Sequence, residues 1–412
     1  MDSLSLFKTN KERLYFLFIL FVIFVYNVSV YYVEFREFKD EEIYKTDAIV
    51  LNIYDKKSYK VLKLQSNDFV CFTSTIDDIN LNKLDNINIY LLTENITFFN
   101  YLQGFYTKNF NITKLISKNN LKKDIRNYIY NQHENKTIAS LYTALFLAIP
   151  VSKDLRELFS QYGVSHLVAI SGFHLGIISL VLYFIFTIIY SPIHQNYFPY
   201  RNKRLDILII ITTILFLYLI FLNIVPSLLR AFVMFVFGIF LLRNNIKLFS
   251  FESLLIITLV ILALFPKLLF SLSLWFSIMG VFYILLFVQY FKNLNKYMQI
   301  ILFNFWLYLA VNPITHYFFG ITAYEQLLSP ILTILFTIFY TSTILLHILN
   351  FGNLFDIFLL DIFSHSITHL EIFTPVWFFV LYLIVSIASI FNRYLFYLLN
   401  ILFIGFNLYI YI

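Results

Sequence analysis

Long apolar runs alternate with short polar segments over most of the chain, and this pattern predicts helices that cross a membrane. A helix needs about 20 apolar residues to cross the hydrocarbon core of a bilayer. Runs near this length predict ten spans, at residues 14–33, 164–190, 205–223, 225–242, 251–265, 269–291, 298–312, 327–347, 376–391 and 394–411. A shorter run at 137–150 predicts an interfacial or re-entrant helix.

Residues 34–136 break this pattern, because they are charged, mixed in sign and free of long apolar runs. Four β-rich stretches, "DAIVLNIY", "YKVLKLQ", "DFVCFTS" and "INIYLLT", are separated by polar turns, as in a small antiparallel sheet or barrel. Lys8, Lys11 and Arg13 precede the first span, so the positive-inside rule places residues 34–136 outside the cytoplasm. The same threading leaves Lys267 and Arg393 outside, which the rule does not favour.

The composition supports the membrane assignment. Hydrophobic residues make up 60% of the chain, charged residues 13%, and the mean hydropathy is +0.76, which excludes an ordinary soluble domain. The single cysteine, Cys71, excludes an intrachain disulfide and a cysteine-rich metal site. We therefore expect a polytopic α-helical membrane protein of about ten spans, with a small β domain after the first span.

Polar side chains within the predicted spans are candidates for function, because hydrocarbon disfavours them unless they face water or a polar partner. The stretch "SHLVAISGFHLG", residues 165–176, is the densest cluster, and we expect its glycines to loosen the helix. Arg230 is the most costly single residue, at about 2.5–3.5 kcal/mol in the bilayer centre. The candidates are His166, Ser171, Gly172, His174, Gly176, Arg230, Ser273 and His316.

Catalysis by these histidines is the less favoured hypothesis. Ser171 lies close to His166 and His174 in the sequence, so a serine and a histidine could in principle meet. No aspartate or glutamate within the stretch is available to orient a base, and a zinc site needs at least three protein ligands. We expect no catalytic residue and no cofactor in this cluster.

A second arrangement of polar residues follows the predicted spans. Asp361, His365 and His369 are spaced four residues apart, and on a helix they would share one face. A metal or pH-sensitive site is one interpretation. We prefer the polar side of an amphipathic interfacial helix.

Basic and aromatic residues are interleaved in the β domain. Such a face can follow the backbone of single-stranded nucleic acid and stack on its bases. A lysine-rich hairpin is more often only a solvated sheet edge, and this remains the alternative. The residues concerned are Tyr54, Lys56, Lys57, Tyr59, Lys60 and Lys63.

Several of these stretches resemble the ComEC family of bacterial DNA-internalisation channels. "GVSHLVAISGFHLG" is similar to the signature of the family's competence domain, and "VPSLLRAFVM", "PKLLFSLSLWFSIMGVF" and "LAVNPITHYFFG" are similar to its later spans, in order. Upstream, "FFNYLQGFYTKNFNIT" resembles the end of the family's extracytoplasmic OB-like domain. The asparagine-containing turn expected after "FG" is replaced by "EQLLSP", which leaves the role of residues 325–330 open.

The resemblance implies an inner-membrane channel that imports single-stranded DNA during natural transformation. The eight candidate residues of the spans would line the DNA path, and the basic face of an OB-like barrel would bind DNA. The implied domains are an N-terminal transmembrane helix (1–33), the extracytoplasmic OB-like domain (34–136), a competence-type channel domain (137–350), and an amphipathic helix with two C-terminal spans (351–412).

The resemblance also implies partners. Many relatives carry a C-terminal metallo-β-lactamase-like domain, but its His-x-His-x-Asp-His signature does not occur here, nor does a nucleotide-binding phosphate loop. We therefore expect a short form that is not itself a nuclease or an ATPase. The expected partners are single-stranded DNA, membrane lipid, an extracytoplasmic DNA receptor and a cytoplasmic helicase-like ATPase, with a homo-oligomer left open.

Without the resemblance, two other classes of protein fit the pattern of spans. A small-solute permease would have scattered polar residues, but the chain shows no inverted repeat of broken helices. A membrane-embedded envelope polymerase or transferase would also suit an extracytoplasmic β domain. Both remain alternatives.

Overall fold

A computed structural model of the protein describes residues 9–56, 58–75, 81–115, 121–243, 250–365 and 367–412. The strands, in chain order, are β1 (Ile43–Asp55), β2 (Lys60–Gln65), β3 (Val70–Thr75), β4 (Asn86–Leu92), β5 (Phe105–Tyr106), β6 (Asn109–Lys114), β7 (Ile321–Thr322) and β8 (Leu370–Glu371). The α-helices are α1 (Asn10–Asp40), α2 (Phe98–Gln103), α3 (Leu121–Tyr130), α4 (Lys136–Leu147), α5 (Lys153–Gln161), α6 (Ser165–Val168), α7 (Gly172–Tyr197), α8 (Lys203–Phe221), α9 (Pro226–Arg243), α10 (Phe251–Leu264), α11 (Leu272–Phe291), α12 (Lys296–Phe318), α13 (Ser329–Ile348), α14 (Asp356–Ser364), α15 (Val376–Ala388) and α16 (Arg393–Tyr411).

The chain divides into two compact units. The first contains Met1–Tyr128 and Leu255–Leu274, and the second contains Ile129–Leu254 and Trp275–Ile412. In the first unit, α1 continues beyond the predicted end at residue 33. Its last turns carry Phe35 and Phe38, three residues apart, which pack into the core of the sheet and so extend the helix to Asp40.

The four predicted β stretches form β1 to β4 of a six-stranded sheet with the order β5-β3-β2-β1-β4-β6. All neighbours are antiparallel except β3 and β5. Alternate residues of each strand point into one core, for example Leu62 and Leu64 on β2 and Ile87, Ile89 and Leu91 on β4. Period-two alternation therefore predicted both the strands and their buried face.

The predicted OB-like barrel is not confirmed, because the described sheet is open. Its edge strands β5 and β6 follow one another in the chain and pair with β3 and β4, and no described ladder joins the two edges. The sheet nevertheless curls, because residues next to its two edges are joined by hydrogen bonds. The Thr107 amide donates to the carbonyl of Phe72 (2.9 Å), and the Asn109 side chain donates to the carbonyl of Ser74 (2.7 Å). The Asn109 side chain also donates to the Thr73 hydroxyl (2.7 Å), so side-chain hydrogen bonds bring the start of β6 towards β3.

The segment between α10 and α11 belongs to the first unit and accounts for Lys267. Its 3₁₀ helix, Pro266–Phe270, places the Lys267 ammonium 4.0 Å from the Glu34 carboxylate and 4.0 Å from the centre of the Tyr31 ring. The same ammonium donates to the carbonyl oxygen of Asp68. A lysine that the positive-inside rule disfavours at this position is therefore held by protein groups of its own unit.

Seven described helices are long and apolar enough to cross a membrane: α1, α7, α8, α11, α12, the segment Tyr324–Ile348 that contains α13, and α16. Three other predicted spans coincide with shorter apolar helices, Leu228–Phe240, Phe251–Leu264 and Val376–Ala388. A multi-pass helical membrane protein is thereby confirmed at the level of length and composition. α4, with 12 residues, is short, as expected for residues 137–150.

The helices of the second unit surround two apolar clusters. The first joins α7, α8 and α9 through residues such as Leu175, Ile211 and Leu215. The second joins α11, α12, α15 and α16 around buried aromatic side chains such as Tyr283 and Trp306. These clusters hold the helices that carry most of the candidate residues.

The predicted span at 164–190 is not one helix. Residues 165–168 form the single turn α6, Ala169 and Ser171 have extended backbones, and α7 then runs from Gly172 to Tyr197. The break lies before the glycines of the motif rather than at them. Ser171 stands at the N-cap, where serine favours a helix start over a helix interior.

Candidate functional site

Ser171 and His174 form a reciprocal cap at the start of α7. The Ser171 amide donates to Nδ1 of His174 (3.3 Å), and the Ser171 hydroxyl lies 3.2 Å from the same nitrogen. Nδ1 is therefore an acceptor, so the neutral ring carries its proton on Nε2. The spacing of serine and histidine is that of a capping box, in which the side chain at N3 reaches back to the N-cap amide.

His174 is enclosed by protein. None of its surface is exposed, and its ring meets Tyr340 edge-on at 4.7 Å and Phe336 at 5.4 Å between centroids, both on α13. No carboxylate contacts this imidazole among the described residues, and its other interaction is with the backbone of Leu167, so no acid orients it as a base. Ser171 and His174 do meet, but their arrangement is that of a helix cap.

Residues 325–330, which replace the expected asparagine turn, contact the residues that precede the motif. The amide of the Gln326 side chain donates to the carbonyl of Ser160 (3.0 Å), and the Ser329 hydroxyl donates to the carbonyl of Gly163 (2.9 Å). Gly163 has φ +67°, and a Cβ at this position would lie 3.2 Å from Cβ of Ser329. We call these contacts of residues 160–163 with residues 326–329 the clasp.

His166 follows the clasp on α6 and is the exposed histidine of the motif. Its Nε2 lies 3.5 Å from the Thr333 hydroxyl on α13, at the limit of a hydrogen bond. A cavity of about 380 Å³ adjoins α6, and its lining is apolar except for Arg156 and Ser165. The imidazole is solvent-accessible, and it also has protein partners, because it hydrogen-bonds to the backbone of Gly163 and lies beside the Thr333 hydroxyl.

The two glycines of the motif have different surroundings. A Cβ on Gly172 would lie 3.4 Å from Cβ of Ala231, so this glycine lets α7 approach α9 closely. A Cβ on Gly176 would meet no atom within 4 Å. Arg230, next to Ala231, is only 4% exposed. Gly176 therefore borders open space, Gly172 faces Ala231 of α9, and Arg230 is buried.

His316 and Ser273 lie apart from the motif. His316 is within α12, beyond the predicted end of that span, and is 3% exposed. Its Nδ1 bonds to the carbonyl of Asn312 and its Nε2 to the hydroxyl of Thr322, each at 3.0 Å. Both nitrogens are thus used within the fold. Ser273 is exposed on α11 and belongs to the first unit.

The predicted basic residues of the sheet lie around the β1–β2 hairpin. Lys56, Tyr59 and Lys60 are exposed near the turn and Tyr54 is half-buried, whereas Lys57 lies outside the described residues. Lys63 lies between the core residues Leu62 and Leu64, so its side chain points to the opposite face of the sheet. Its ammonium lies 5.6 Å from the centre of the Phe72 ring.

The structure adds two aromatic residues to this face. Lys63 is paired with Phe72 across β2 and β3, and Phe72 with Tyr106 across β3 and β5, so the three side chains form a row. Tyr106 is 58% exposed, and its hydroxyl bonds to that of Ser74 (2.7 Å). Lys63, Phe72 and Tyr106 are named here the sheet row. Local sequence could not reveal it, because Tyr106 reaches the sheet by a parallel pairing.

The helical face proposed for Asp361, His365 and His369 does not form. α14 ends at Ser364, His365 has an extended backbone, and His369 lies beside β8, where its Nδ1 is 3.1 Å from the amide nitrogen of the Gln161 side chain. Within the described ranges, no group of three or more His, Cys, Asp or Glu side chains has a geometry that would hold a metal ion. The prediction that these three residues share one face is wrong.

The comparison with protein families decides the assignment. The family model described as "Competence: Competence protein" matches residues 150–410. The chain belongs to the Competence family. Its resemblance to ComEC-type competence proteins is thus confirmed, and the match covers the motif, the clasp, Arg230 and His316. No curated protein and no solved structure gave a match to the chain.

Proposed function

We propose that this Competence protein is an inner-membrane channel that imports single-stranded DNA during natural transformation. The family match carries the proposal, together with a broken span whose motif presents an exposed imidazole, His166, and open space at Gly176. A polyanion cannot cross hydrocarbon, so its path requires polar groups and room for the strand. A neutral imidazole offers hydrogen bonds to phosphate without the strong electrostatic binding of a row of lysines.

In this proposal the candidate residues have two different roles. His166 and Gly176 border the path. Buried Arg230, His174 and His316 support the helices that form it. Ser273 stays a separate prediction, because it belongs to the other unit.

The sheet unit is proposed to be an extracytoplasmic, OB-like domain that binds single strands through the sheet row and the neighbouring lysines. Exposed aromatic rings stack on bases regardless of sequence, and lysines contact phosphates. The pairing of Lys63 with Phe72 and Tyr106 supports this assignment.

The proposal requires partners for the steps that the chain is not expected to perform. We propose an extracytoplasmic receptor that delivers DNA, a cytoplasmic helicase-like ATPase that pulls the strand, and a separate nuclease. The chain itself is then a conduit and not an enzyme.

A complementation experiment tests the function. Deleting the gene should abolish entry of labelled DNA into the cytoplasm while DNA capture at the cell surface persists. Normal DNA uptake and recombination in the deletion strain would contradict the proposal and return attention to a permease or an envelope transferase.

The complementing variants test the path. Gly176→Trp should fold, because a Cβ at this position would meet no atom within 4 Å, and should block uptake by its bulk. Gly405→Trp is the matched control, since Gly405 is also helical, exposed and free of neighbours within 4 Å of its Cβ. Equal uptake by the two variants at equal abundance would remove Gly176 from the path.

A further inference from the structure

Two buried imidazoles that the proposed function does not use lie within hydrogen-bond distance of each other in the second unit. Nε2 of His133 is 3.0 Å from Nε2 of His347. His133 precedes α4 and is 8% exposed, and His347 lies in the last turn of α13 and is 5% exposed. His133 also lies outside the stretch that the family model matches.

The other nitrogen of each ring determines how many protons the pair holds. Nδ1 of His347 is 2.7 Å from the carbonyl oxygen of Thr343, which can only accept, so this nitrogen carries a proton. Nδ1 of His133 lies 2.9 and 3.0 Å from the two carboxylate oxygens of Asp356, which makes it a donor to the ionised acid.

The contact between the two Nε2 atoms then requires one more proton. Two lone pairs facing each other at 3.0 Å would repel, and two N–H groups would collide, so one N–H donates to the other nitrogen. The two rings together therefore carry three N–H groups and one positive charge, which the Asp356 carboxylate balances. Moving the Nδ1 proton of His133 onto Asp356 leaves the total unchanged.

This proton connects segments that are distant in sequence. Asp356 is the first residue of α14, and the side chain of Gln132 bridges the same region by donating to the carbonyl of His347 (3.2 Å) and accepting from the amide of Gly352 (2.9 Å). Tyr142 on α4 stacks on His133 at 4.8 Å between ring centres. The pair thus lies between α4, the end of α13 and the start of α14.

We propose that His133 and His347 share one proton, balanced by Asp356, and that this proton latches the α13–α14 turn to the loop before α4. The titratable groups whose contacts with the pair are seen among the described residues include Asp356 from α14 and the Tyr142 phenol from α4. Glu134, next to His133 in the chain, is exposed. Removing the shared proton at higher pH would leave two nitrogen lone pairs facing each other at 3.0 Å, so raising the pH opens the latch.

A metal ion between the two nitrogens is the competing occupant. Both Nδ1 atoms are held by oxygen acceptors, as in many metal-bound histidines. The described residues supply no third His, Cys, Asp or Glu in a metal-binding geometry, and a separation of 3.0 Å suits a hydrogen bond. A proton satisfies both nitrogens without further ligands.

Hydrogen exchange of the full-length protein in detergent, without DNA, tests the latch independently of channel function. After correction for intrinsic exchange, the protection of peptides covering residues 343–356 should fall about tenfold as the pH rises from about 5.5 to about 8.5. His133→Gln and Asp356→Asn should show the low protection at every pH. His194→Gln is the matched control, since His194 also bonds to a backbone carbonyl but lies outside this cluster, and should retain the wild-type profile.

Three results would overturn the proposal. The first is a pH-independent protection of residues 343–356 in the wild type, and the second is a wild-type profile in His133→Gln. The third is one equivalent of zinc or copper that copurifies with the protein and whose removal by a chelator lowers this protection. If His133→Gln does not accumulate, His347→Gln provides the same comparison.

Discussion

Replacing Gly163 by alanine is the sharpest perturbation of the clasp. Gly163 has φ +67°, a backbone conformation that alanine adopts at a cost of about 1–2 kcal/mol. The new Cβ would also lie 3.2 Å from Cβ of Ser329, so one of the two segments has to move by a few tenths of an ångström.

The same displacement weakens a hydrogen bond. The Ser329 hydroxyl donates to the Gly163 carbonyl at 2.9 Å, and such a bond contributes about 1 kcal/mol net. Adding part of this contribution to the backbone strain gives a destabilisation of about 2–3 kcal/mol for Gly163→Ala. Gly176→Ala is the matched control, because its Cβ meets nothing within 4 Å and alanine favours a helix over glycine by about 0.5–1 kcal/mol.

Thermal unfolding of the purified full-length protein in detergent measures the difference. Gly163→Ala should unfold at a lower temperature than the wild type and Gly176→Ala at the same or a higher one. DNA uptake by cells carrying Gly163→Ala should also fall, since the clasp holds the residues that precede His166. If Gly163→Ala unfolds at the same temperature as Gly176→Ala, the clasp does not contribute to stability as argued.

Three further predictions concern the cap, the sheet and the DNA-binding face. His174→Leu should lower protein abundance, because losing a helix cap costs about 1 kcal/mol. His174→Gln should keep abundance near that of the wild type, because the glutamine side chain can also accept from the Ser171 amide. Equal abundance of the two variants would refute the cap. Burial raises the pKa of the Asp85 carboxyl, but hydrogen bonds and charge from Lys114, the Asn82 amide and Lys123 outweigh burial and hold that pKa below its usual value. The stabilisation by Asp85 is therefore complete above the pKa of this carboxyl in the unfolded chain, near 3.9, and is lost as the pH falls through its lower pKa in the folded protein. Asp85→Asn should accordingly be less stable than the wild type at neutral pH. Its unfolding by acid should also depend less steeply on pH. Lys63→Gln should weaken the binding of a labelled single strand by the full-length protein and make that binding less dependent on salt. Tyr106→Ala should weaken the binding but leave its salt dependence unchanged. If neither change affects binding, this face is only a solvated sheet edge.

The features that the sequence predicted are those controlled by local patterns. Apolar runs of sufficient length identified helices such as α7 and α8, and period-two alternation identified β1 to β4. The helix break before Gly172 had a local signal as well, because Ser171 and His174 have the spacing of a capping box. The glycines were expected to interrupt the helix, whereas the interruption is at the serine that caps α7.

The features that the sequence did not predict depend on contacts between distant segments. Gln326 meets Ser160 and His347 meets His133 across separations of 166 and 214 residues, which no local pattern encodes. The proposed face of Asp361, His365 and His369 failed for a different reason: the spacing was helical, but α14 ends at Ser364. Spacing alone does not say where a helix ends.

Passage of single-stranded DNA beside the motif is the central claim, and site-specific photocrosslinking tests it most directly. A photoreactive amino acid is placed at position 176 or, as the control, at position 405, and cells are illuminated while they take up labelled DNA. We predict a DNA adduct at position 176 and none at position 405. DNA entry without an adduct at position 176, or equal adducts at both positions, would contradict the claim.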